Sequence, residues 1–284
     1  MWRKKAINLS QWRERVQEKL LENGIDQPLN SALLLLASAL ERDKTWVLSH
    51  TEYQPTPRET ETIQTLSGQV AAGHPLPYVL GRWEFFGRKF RVTPDVLIPR
   101  PETETLVERV LEIASQFNQP KIVDVGTGSG AIAVSLGAEL PQATIIACDI
   151  SLPALRIAAE NARQHAQNQI RFLQADLLAP LSSPFDLICA NLPYIPKNML
   201  EELAVSRWEP RLALDGGENG FELITPLLQQ ARKRLTPHGA ILLEIEASLG
   251  AAGLSLAASH FPDAQISLIQ DLAGQDRIIE IKRA

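Results

Sequence analysis

The chain has 284 residues, of which 45% are hydrophobic and 21% are charged, and its formal net charge is -5. A chain of this length and ordinary composition predicts a globular protein with one large domain, or with one large and one small domain. The negative charge argues against a general nucleic-acid-binding protein, because such proteins usually carry a basic excess. We therefore expect no stable nucleic-acid partner.

The cysteines and the apolar segments indicate the cellular compartment of such a protein. Cys148 and Cys189 both fall in predicted buried strands, so a disulfide framework is not expected and a reducing cytoplasm fits best. The N-terminal residues lack the apolar run of a signal peptide. The apolar run 31–40 is too short to span a bilayer, which takes about 20 residues. These features predict a cytoplasmic protein with no membrane partner.

Residues 1–80 predict a small all-helical domain. Apolar side chains recur at helical spacing over 9–23, and the Asn-Gly pair that follows is typical of a helix end. A second helix is predicted through 31–41, and the proline and acids of 56–63 are typical of the start of a third helix. No strand-like alternation precedes residue 80.

A β-hairpin and a larger domain follow this helical region. Residues 83–92 predict two short strands around Gly87, within a hairpin linker that covers 81–97. From 98 to 284 strand-like segments alternate with helix-like segments such as 154–166 and 221–235, which predicts parallel pairing in a doubly wound α/β sheet. The strand-like runs are 121–126, 143–150, 170–176, 186–192, 239–246, 264–271 and 276–283. The last two are separated by so short a link that we expect an antiparallel hairpin.

A glycine-rich segment follows the first strand of the larger domain, in the sequence VDVGTGSGAIA. Gly126, Gly128 and Gly130 allow a tight turn and let ligand atoms approach the backbone amides at the start of a helix. Asp149 ends the second strand about 20 residues further on, where an acid can bind ribose hydroxyls. This pattern predicts a nucleotide-type cofactor.

The spacing of the glycines does not select which cofactor binds. Gly126-x-Gly128-x-x-Ala131 also satisfies the dinucleotide fingerprint, and a glycine turn without a ligand stays open as well. The third strand ends at 175–178, where adenine would lie if the site is like those of other proteins with this fold. Asp176, in the same segment, could equally cap a helix.

The fourth strand runs directly into Asn191, Leu192, Pro193 and Tyr194. An enzyme that methylates an amide nitrogen must hold this weak nucleophile in line with the methyl donor. The Asn191 side-chain oxygen and the Leu192 carbonyl could each accept one N–H, and Pro193 biases Leu192 toward an extended backbone. Tyr194 could pack against the substrate or offer its ring face to a cation. The alternative is an ordinary strand exit with Asn and Pro as turn formers.

This tetrapeptide resembles the Asn-Pro-Pro-Tyr box of amino-group methyltransferases, with Leu192 in the first proline position. If that position contributes its backbone carbonyl, leucine supplies the same atom and loses only the rigidity of the ring. In the usual strand order Asn191 lies beside the first strand, over the reactive end of the cofactor. Adenine N(6)-methylating enzymes share the box, so it indicates the attacked nitrogen better than the molecule that carries it.

Two longer segments, 74–108 and 207–224, closely resemble the release-factor glutamine N(5)-methyltransferases, the HemK/PrmC family. Their most specific parts are IPRPETE and EPRLALDGG. With the glycine-rich segment and the helical region, the resemblance covers nearly the whole chain. It implies a class I methyltransferase fold, in which a seven-stranded doubly wound sheet ends in an antiparallel hairpin, and S-adenosylmethionine as the cofactor.

The resemblance also implies a function for each domain. Residues 1–80 would be a substrate-docking domain, and residues 98–284 would be the S-adenosylmethionine-dependent methyltransferase domain. Family members methylate the glutamine of a Gly-Gly-Gln motif in class 1 peptide-chain release factors, and the N-terminal helices help to grip the factor. We therefore expect a monomeric protein-glutamine methyltransferase whose partners are release factors.

The expected site residues follow from the motifs and the resemblance together. The cofactor-binding set is Gly126, Thr127, Gly128, Ser129, Gly130, Asp149, Leu177 and Asn191, and the catalytic set is Asn191, Leu192, Pro193 and Tyr194. Pro101 suits a first helical position, and Glu102 and Glu104 suit a helix N-terminus. Only the resemblance places those two acids near the cofactor. No histidine or cysteine spacing supports a metal, and no general base is expected.

Three other functions stay open. An adenine N(6) nucleic-acid methyltransferase would share the Asn191–Tyr194 motif but would be expected to add a basic recognition surface. An NAD-dependent oxidoreductase would explain the glycine-rich segment and leave Asn191–Tyr194 without a role. A catalytically inactive relative that only binds release factors would be explained by Leu192.

Overall fold

The computed structural model describes residues 7–166, 169–201 and 203–283. The chain divides into two compact units, 1–81 and 82–284. The predicted hairpin falls within the larger unit, since its first strand begins at Arg82.

The smaller unit is helical. Its helix α1 begins with a capping box, in which the Asn8 side chain accepts the Gln11 N–H and the Gln11 side chain accepts the Asn8 N–H. Thr56 and Glu59 form the same arrangement at the start of α4. Leucine, valine, isoleucine and tryptophan side chains form the core of this unit. The helices are α1 (Leu9–Glu22), α2 (Pro28–Ala39), α3 (Lys44–Ser49), α4 (Pro57–Ala71) and α5 (Leu76–Leu80).

The larger unit begins with the two-stranded hairpin and continues as an α/β domain. Its elements are β1 (Arg82–Phe85), β2 (Arg88–Arg91), α6 (Thr103–Ala114), β3 (Lys121–Val125), α7 (Ala131–Glu139), β4 (Thr144–Asp149), α8 (Leu152–His165), β5 (Ile170–Gln174), β6 (Phe185–Ala190), α9 (Lys197–Leu200), α10 (Ile224–Ala231), β7 (Leu235–Glu244), α11 (Gly250–His260), β8 (Gln265–Gln270) and β9 (Asp276–Lys282). Short 3₁₀ turns lie at Ala204–Arg207, Arg211–Ala213 and Ala247–Leu249.

Seven strands form one sheet in the order β5-β4-β3-β6-β7-β9-β8. The five strands from β5 to β7 pair in parallel, and β9 is antiparallel to both of its neighbours. The predicted fold class, a doubly wound sheet with a C-terminal antiparallel hairpin, is therefore confirmed. The sheet reverses its winding at β3, so the carboxyl ends of β3, β4 and β6 meet at a switch point where ligands of such folds bind.

Several element boundaries differ from the expectation, including those of α10 and α6. Helix α10 covers Ile224–Ala231 rather than the whole of 221–235, because β7 begins at Leu235 and pairs there with Phe185 of β6. Helix α6 begins at Thr103 rather than at Pro101. The Thr103 N–H donates to the Arg100 carbonyl, so the residues just before the helix form a turn.

The hairpin is held against the sheet domain by side chains from two helices. Asn161 of α8 accepts the Arg91 N–H at 2.7 Å and donates to the Arg91 carbonyl at 3.1 Å. The same Asn161 amide donates to the Ser129 carbonyl at 2.8 Å, so it links the hairpin to the glycine-rich segment. Glu104 of α6 accepts the Phe86 N–H at 2.7 Å. These contacts fix one side of the region in which the candidate site lies.

Candidate active site

A cleft lies at the carboxyl ends of β3, β4, β5 and β6 and has a volume of about 1150 Å³ including its open mouth. This is the position at which open α/β sheets bind ligands. The lining residues belong to the ends of these strands and to two loops that cover them: Asp95 to Leu97, Pro99, Arg100, Thr103, Val125 to Ser129, Ala131, Ile132, Cys148 to Ser151, Ala154, Ala175 to Leu177, Asn191 to Pro193, Pro210, Leu212, Ala213 and Leu223.

The loop from Gly126 to Gly130 joins β3 to α7 and forms part of the cleft floor. Gly126, Gly128 and Gly130 have φ angles of +74°, +55° and +81°, a region that side chains other than glycine rarely adopt. A Cβ on Gly130 would lie 3.0 Å from Ala158 Cβ, so Gly130 also permits close helix packing. At Gly128 the only atom within 4 Å of such a Cβ is the Gly126 carbonyl oxygen. The glycines therefore let the loop adopt this conformation without strain and leave space for a ligand beside Gly128.

Asp124, which is buried, stabilises this loop by accepting hydrogen bonds. Its Oδ2 accepts the Thr127 hydroxyl at 2.6 Å and the Ala133 N–H at 3.2 Å, while its Oδ1 is buried and finds no hydrogen-bond partner in the described part of the chain. Burial raises the pKa of Asp124 to about 7, against the hydrogen bonds that lower it. The Thr127 hydroxyl, which was expected to bind the cofactor, therefore donates to Asp124 and stabilises the loop.

Asp149 ends β4 on the cleft wall, as predicted. Its Oδ2 accepts the Gly128 N–H at 2.8 Å, and its Oδ1 accepts the Ser151 N–H at 2.9 Å. Burial raises the pKa of Asp149, although backbone N–H groups oppose that shift. The carboxylate therefore holds the glycine loop as well as facing the cleft.

The cleft continues over an apolar surface beside Asp149. Ile150 lines the cleft and is 52% exposed, which is unusual for an isoleucine that follows a buried strand. Leu177, after β5, also lines the cleft and has a φ of +51°. A β-carbon in this conformation costs about 1–2 kcal/mol, and such strain gathers at functional sites. Ile150 and Leu177 offer a flat apolar ligand group two contact surfaces.

Asn191 leaves β6 beside the glycine loop, because β6 pairs with β3 and Ala190 lies opposite Val125. The Asn191 Nδ2 donates to the Thr103 hydroxyl oxygen at 3.1 Å. Leu192 packs onto the loop, since a Cβ built on Gly126 would lie 2.8 Å from Leu192 Cδ2. The structure thus brings the predicted amide-holding segment and the predicted cofactor loop into one cleft.

Tyr194 has a different environment from the three residues before it. Asn191, Leu192 and Pro193 line the cleft, whereas Tyr194 does not. Burial raises the pKa of Tyr194 to about 12, and the nearby Glu244 carboxyl adds to this rise. Its backbone lies so close to Gly216 that a Cβ there would be 2.6 Å from the Tyr194 carbonyl carbon. The role of the Tyr194 ring toward the substrate stays a prediction.

The two loops over the cleft are the segments that carry the family resemblance. Glu209 is buried, accepts the Ile98 N–H at 3.0 Å through Oε2, and forms an ion pair with Arg100 through Oε1. The charge pair and the backbone hydrogen bond hold IPRPETE against EPRLALDGG. Arg100, Pro210 and Leu212 then form part of the cleft wall.

Sequence reasoning missed several residues of this site. Asp124, Thr103 and Glu244 are buried polar residues in or beside it, and Ile150 lines it. For Glu244 a signal was present, because it is an acid that directly follows the apolar run 239–243, in the strand next to that of Asn191. Glu102 and Glu104, which the resemblance placed near the cofactor, do not line the cleft.

The described part of the chain has neither a clustered metal site nor a membrane-spanning helix. Residues 7–166, 169–201 and 203–283 contain no group of three or more histidine, cysteine, aspartate or glutamate side chains placed to hold a metal ion. No helix within these ranges is long and apolar enough to cross a membrane. Cys148 and Cys189 are both free and buried.

Solved structures with a similar fold include other methyltransferases. The hMettl16 catalytic domain aligns with a TM-score of 0.57 at 16% identity, over 77% of this chain and 81% of that one. A methyltransferase from Pyrococcus furiosus aligns with a TM-score of 0.51 at 15% identity, over 79% of this chain and 98% of that one. At these identities the likeness shows the fold alone.

Sequence comparison identifies the family. Residues 11–81 match the PrmC N-terminal domain, and residues 102–207 match the methyltransferase small domain. The release factor glutamine methyltransferase of Moorella thermoacetica is 40% identical over 91% of this chain and 93% of that protein. The enzyme of the same name from Bradyrhizobium diazoefficiens is 36% identical over 95% of this chain and 93% of that protein. The chain belongs to the release factor glutamine methyltransferase family.

Proposed function

We propose that this protein transfers a methyl group from S-adenosylmethionine to the side-chain amide nitrogen of the glutamine in the Gly-Gly-Gln motif of class 1 peptide-chain release factors. The observation that carries this proposal is the contact between Leu192 and Gly126. It joins a segment suited to hold an amide to a loop suited to hold a nucleotide-type cofactor, and family membership supplies the substrate.

The cleft residues fit S-adenosylmethionine. Asp149 presents a carboxylate that can accept ribose hydroxyls, and Gly128 leaves the space beside its Cα free of side chains. Ile150 and Leu177 provide apolar surface for adenine. The volume of about 1150 Å³, which includes the open mouth, accommodates a ligand of this size. When bound, the cofactor supplies an electrophilic methyl group on a sulfonium centre.

The protein's own contribution is to hold a weak nucleophile. The lone pair of an amide nitrogen is delocalised, so the NH2 group must be kept in line with the methyl group and prevented from rotating. We assign the Asn191 Oδ1 and the Leu192 carbonyl as acceptors of its two N–H groups. Pro193 favours an extended Leu192 backbone, which presents this carbonyl. We assign no general base, because the amide can lose a proton to water after transfer.

The loops over the cleft would limit the access of water to the reacting groups. The ion pair between Arg100 and Glu209 links one loop to the other, and Glu209 is 5% exposed. Because charges interact more strongly when water is excluded, a closed wall on this side strengthens every polar contact made to the bound groups.

Residues 1–80 would dock the release factor, since all the cleft residues lie in the larger unit. The test is a fragment that begins at Arg82. We expect it to bind S-adenosylmethionine as the full chain does and to methylate intact release factor poorly. Full activity of a soluble fragment on intact release factor would remove the docking role.

Mass spectrometry of intact release factor tests the proposed reaction directly. After incubation with the protein and S-adenosylmethionine, the factor should gain the mass of one methylene group, and a factor with alanine in place of the Gly-Gly-Gln glutamine should gain none. No gain on the native factor would support an inactive binding relative. If DNA or RNA competes with release factor as a methyl acceptor and so suppresses its methylation, that result would support the adenine-methylating alternative.

A further inference from the structure

We propose that Glu244 is a positioning residue which, through Thr103, fixes the end of the Asn191 amide that faces the substrate. This inference rests on the proposed function for its meaning in catalysis. The orientation of the Asn191 side chain is, however, a property of the protein alone and can be tested without any methyl transfer.

The sheet register brings these three residues together. Strand β7 pairs with β6 so that Leu243 lies opposite Ala190, and Glu244 therefore ends β7 beside Asn191. Glu244 is 2% exposed. Thr103 is the first residue of α6 and is also buried, and its hydroxyl oxygen receives the Asn191 Nδ2–H at 3.1 Å.

The carboxylate of Glu244 determines which groups donate and which accept in the hydrogen bonds among Glu244, Thr103 and Asn191. A threonine hydroxyl can donate or accept, and an asparagine side chain can turn over to exchange its donor and its acceptor. In its ionised form, which prevails above its pKa of about 7, the Glu244 carboxylate only accepts, so Thr103 donates to it and the hydroxyl oxygen is left to accept from Asn191. Hydrogen bonding from both Thr103 and Asn191 favours the charged form of Glu244.

The other end of the Asn191 amide is thereby left for a ligand. Nδ2 is directed to Thr103 and Glu244, and within the described residues no hydrogen bond of the chain engages Oδ1. Asn191 lines the cleft, so its Oδ1 is the acceptor available there. In the reversed orientation an NH2 group would meet the substrate NH2 group, donor against donor.

Fold stability does not explain why a carboxylate occupies this position. Although Thr103 and Asn191 interact with Glu244, its Oε2 is buried and has no hydrogen-bond partner among the residues that the structure describes. A buried carboxylate with an unsatisfied oxygen destabilises a fold, and burial opposes the charged form here. The charged groups that face it are Arg277, which favours its ionisation, and Glu102, which opposes it. A neutral side chain would cost less, so a functional role accounts for Glu244 better.

Three substitutions test the role in turnover. Glu244→Gln keeps the shape of the side chain but adds an NH2 donor, so the direction of the Thr103 hydroxyl is no longer fixed. We expect kcat to fall by up to about 100-fold, while KM for release factor and Kd for S-adenosylmethionine change only a few fold. Thr103→Val should do the same, and Thr103→Ser, which keeps the hydroxyl, should restore most of kcat.

A second buried glutamate provides the matched control. Glu280 lies on β9, next to β7, where it pairs with Arg109 and Lys282. Glu280→Gln should lower stability and leave kcat unchanged. If Glu280→Gln lowers kcat as far as Glu244→Gln does, the effect is one of general stability and the positioning role is wrong.

The orientation itself is measured by NMR on the free protein, with the Asn191 side-chain resonances assigned by their absence in Asn191→Ala. In the wild type the Asn191 Nδ2 protons should exchange slowly with solvent, and in Thr103→Val and Glu244→Gln they should exchange faster and shift. Unchanged exchange together with unchanged kcat in Glu244→Gln would overturn the inference. If the wild type fails to methylate release factor, the proposed function fails, and the NMR result still decides the orientation.

Discussion

Leu192 occupies the space that a side chain on Gly126 would need. A Cβ on Gly126 would lie 2.8 Å from Leu192 Cδ2, and Leu192 is buried. The leucine therefore does more than replace a proline in a motif. Its side chain packs the predicted amide-holding segment onto the glycine loop, so these two parts of the candidate site are in direct contact.

A double-mutant cycle should detect this contact. Gly126→Ala places a methyl group at φ +74° and against Leu192, and the backbone strain alone should cost about 1–2 kcal/mol. Leu192→Ala should cost about 2–5 kcal/mol as a buried truncation. Because the truncation makes room for the new methyl group, the double mutant should be more stable than the sum of the single changes by about 0.5–3 kcal/mol.

Free energies of unfolding in urea measure the coupling, and Gly128→Ala is the matched control. Gly128 also has a positive φ, but a Cβ there would contact no side chain within 4 Å. Its substitution should therefore add to Leu192→Ala without coupling. Additivity in the Gly126 cycle would show that Leu192 does not press on the loop in solution.

Asp149→Ala should weaken the binding of S-adenosylmethionine by about 10- to 150-fold, since a hydrogen bond to a charged group is worth about 1.5–3 kcal/mol. We also expect Asp149→Ala to lower the stability of the fold, because the carboxylate accepts the N–H groups of Gly128 and Ser151. Titration calorimetry gives the first effect and thermal unfolding the second. Unchanged affinity in a folded variant would place the ribose elsewhere.

Asp186→Ala separates binding from stability in this experiment. Asp186 accepts the Lys121 N–H at 2.9 Å and the Thr236 hydroxyl at 3.0 Å near the start of β6, and it does not line the cleft. It should lower the unfolding temperature and leave the affinity unchanged. A loss of affinity in Asp186→Ala would mean that destabilisation alone weakens binding.

The architecture was predictable because its signals are local. Strand and helix periods read within ten residues or so gave the parallel sheet, the hairpin around Gly87 and the C-terminal antiparallel pair, all of which the structure contains. The end of α10 was misjudged because 232–235 retains a helix-like composition while Leu235 already pairs with Phe185. Pairing between distant segments decides such boundaries, and one segment does not reveal it.

The candidate site also contains residues that local sequence signals indicate and residues that only the fold brings together. The loop of Gly126 to Gly130, Asp149 and Asn191 were found because each lies in a short contiguous motif or at a fixed spacing from one. Thr103 was not found, because its partner Asn191 is 88 residues away and only the fold brings them together. The positive φ of Leu177 was equally hidden, since leucine is not a residue that predicts a left-handed backbone.

Asn191→Ala should reduce turnover by about 100-fold, because the acceptor that orients the reacting nitrogen is lost. The affinity for S-adenosylmethionine should stay within a few fold, since the ribose and adenine surfaces are formed by other residues. Steady-state kinetics with labelled methyl donor and release factor measure the first quantity, and calorimetry measures the second. Wild-type turnover in this variant would refute the assignment of Asn191 as an amide acceptor.

The stability of Glu244→Gln relative to the wild type should depend on pH. Burial raises the pKa of Glu244 to about 7 in the folded protein, from an ordinary value of 4.5. Between these two values the folded state binds more protons than the unfolded state, so the wild type loses stability as the pH rises. The variant has no such proton, and its stability relative to the wild type should rise from pH 4.5 and level off above about pH 7.

Glu280→Gln should show the opposite sign in the same urea experiments. Burial alone would raise the pKa of Glu280, but the hydrogen bonds from Arg109 and Lys282 lower it overall. A lowered carboxyl pKa stabilises the fold above the ordinary value, and this contribution is lost as the pH falls through the lowered one. The variant should therefore be less stable than the wild type at neutral pH and should approach it in acid. If both variants show the same pH trend, burial does not raise the pKa of Glu244 in the folded protein.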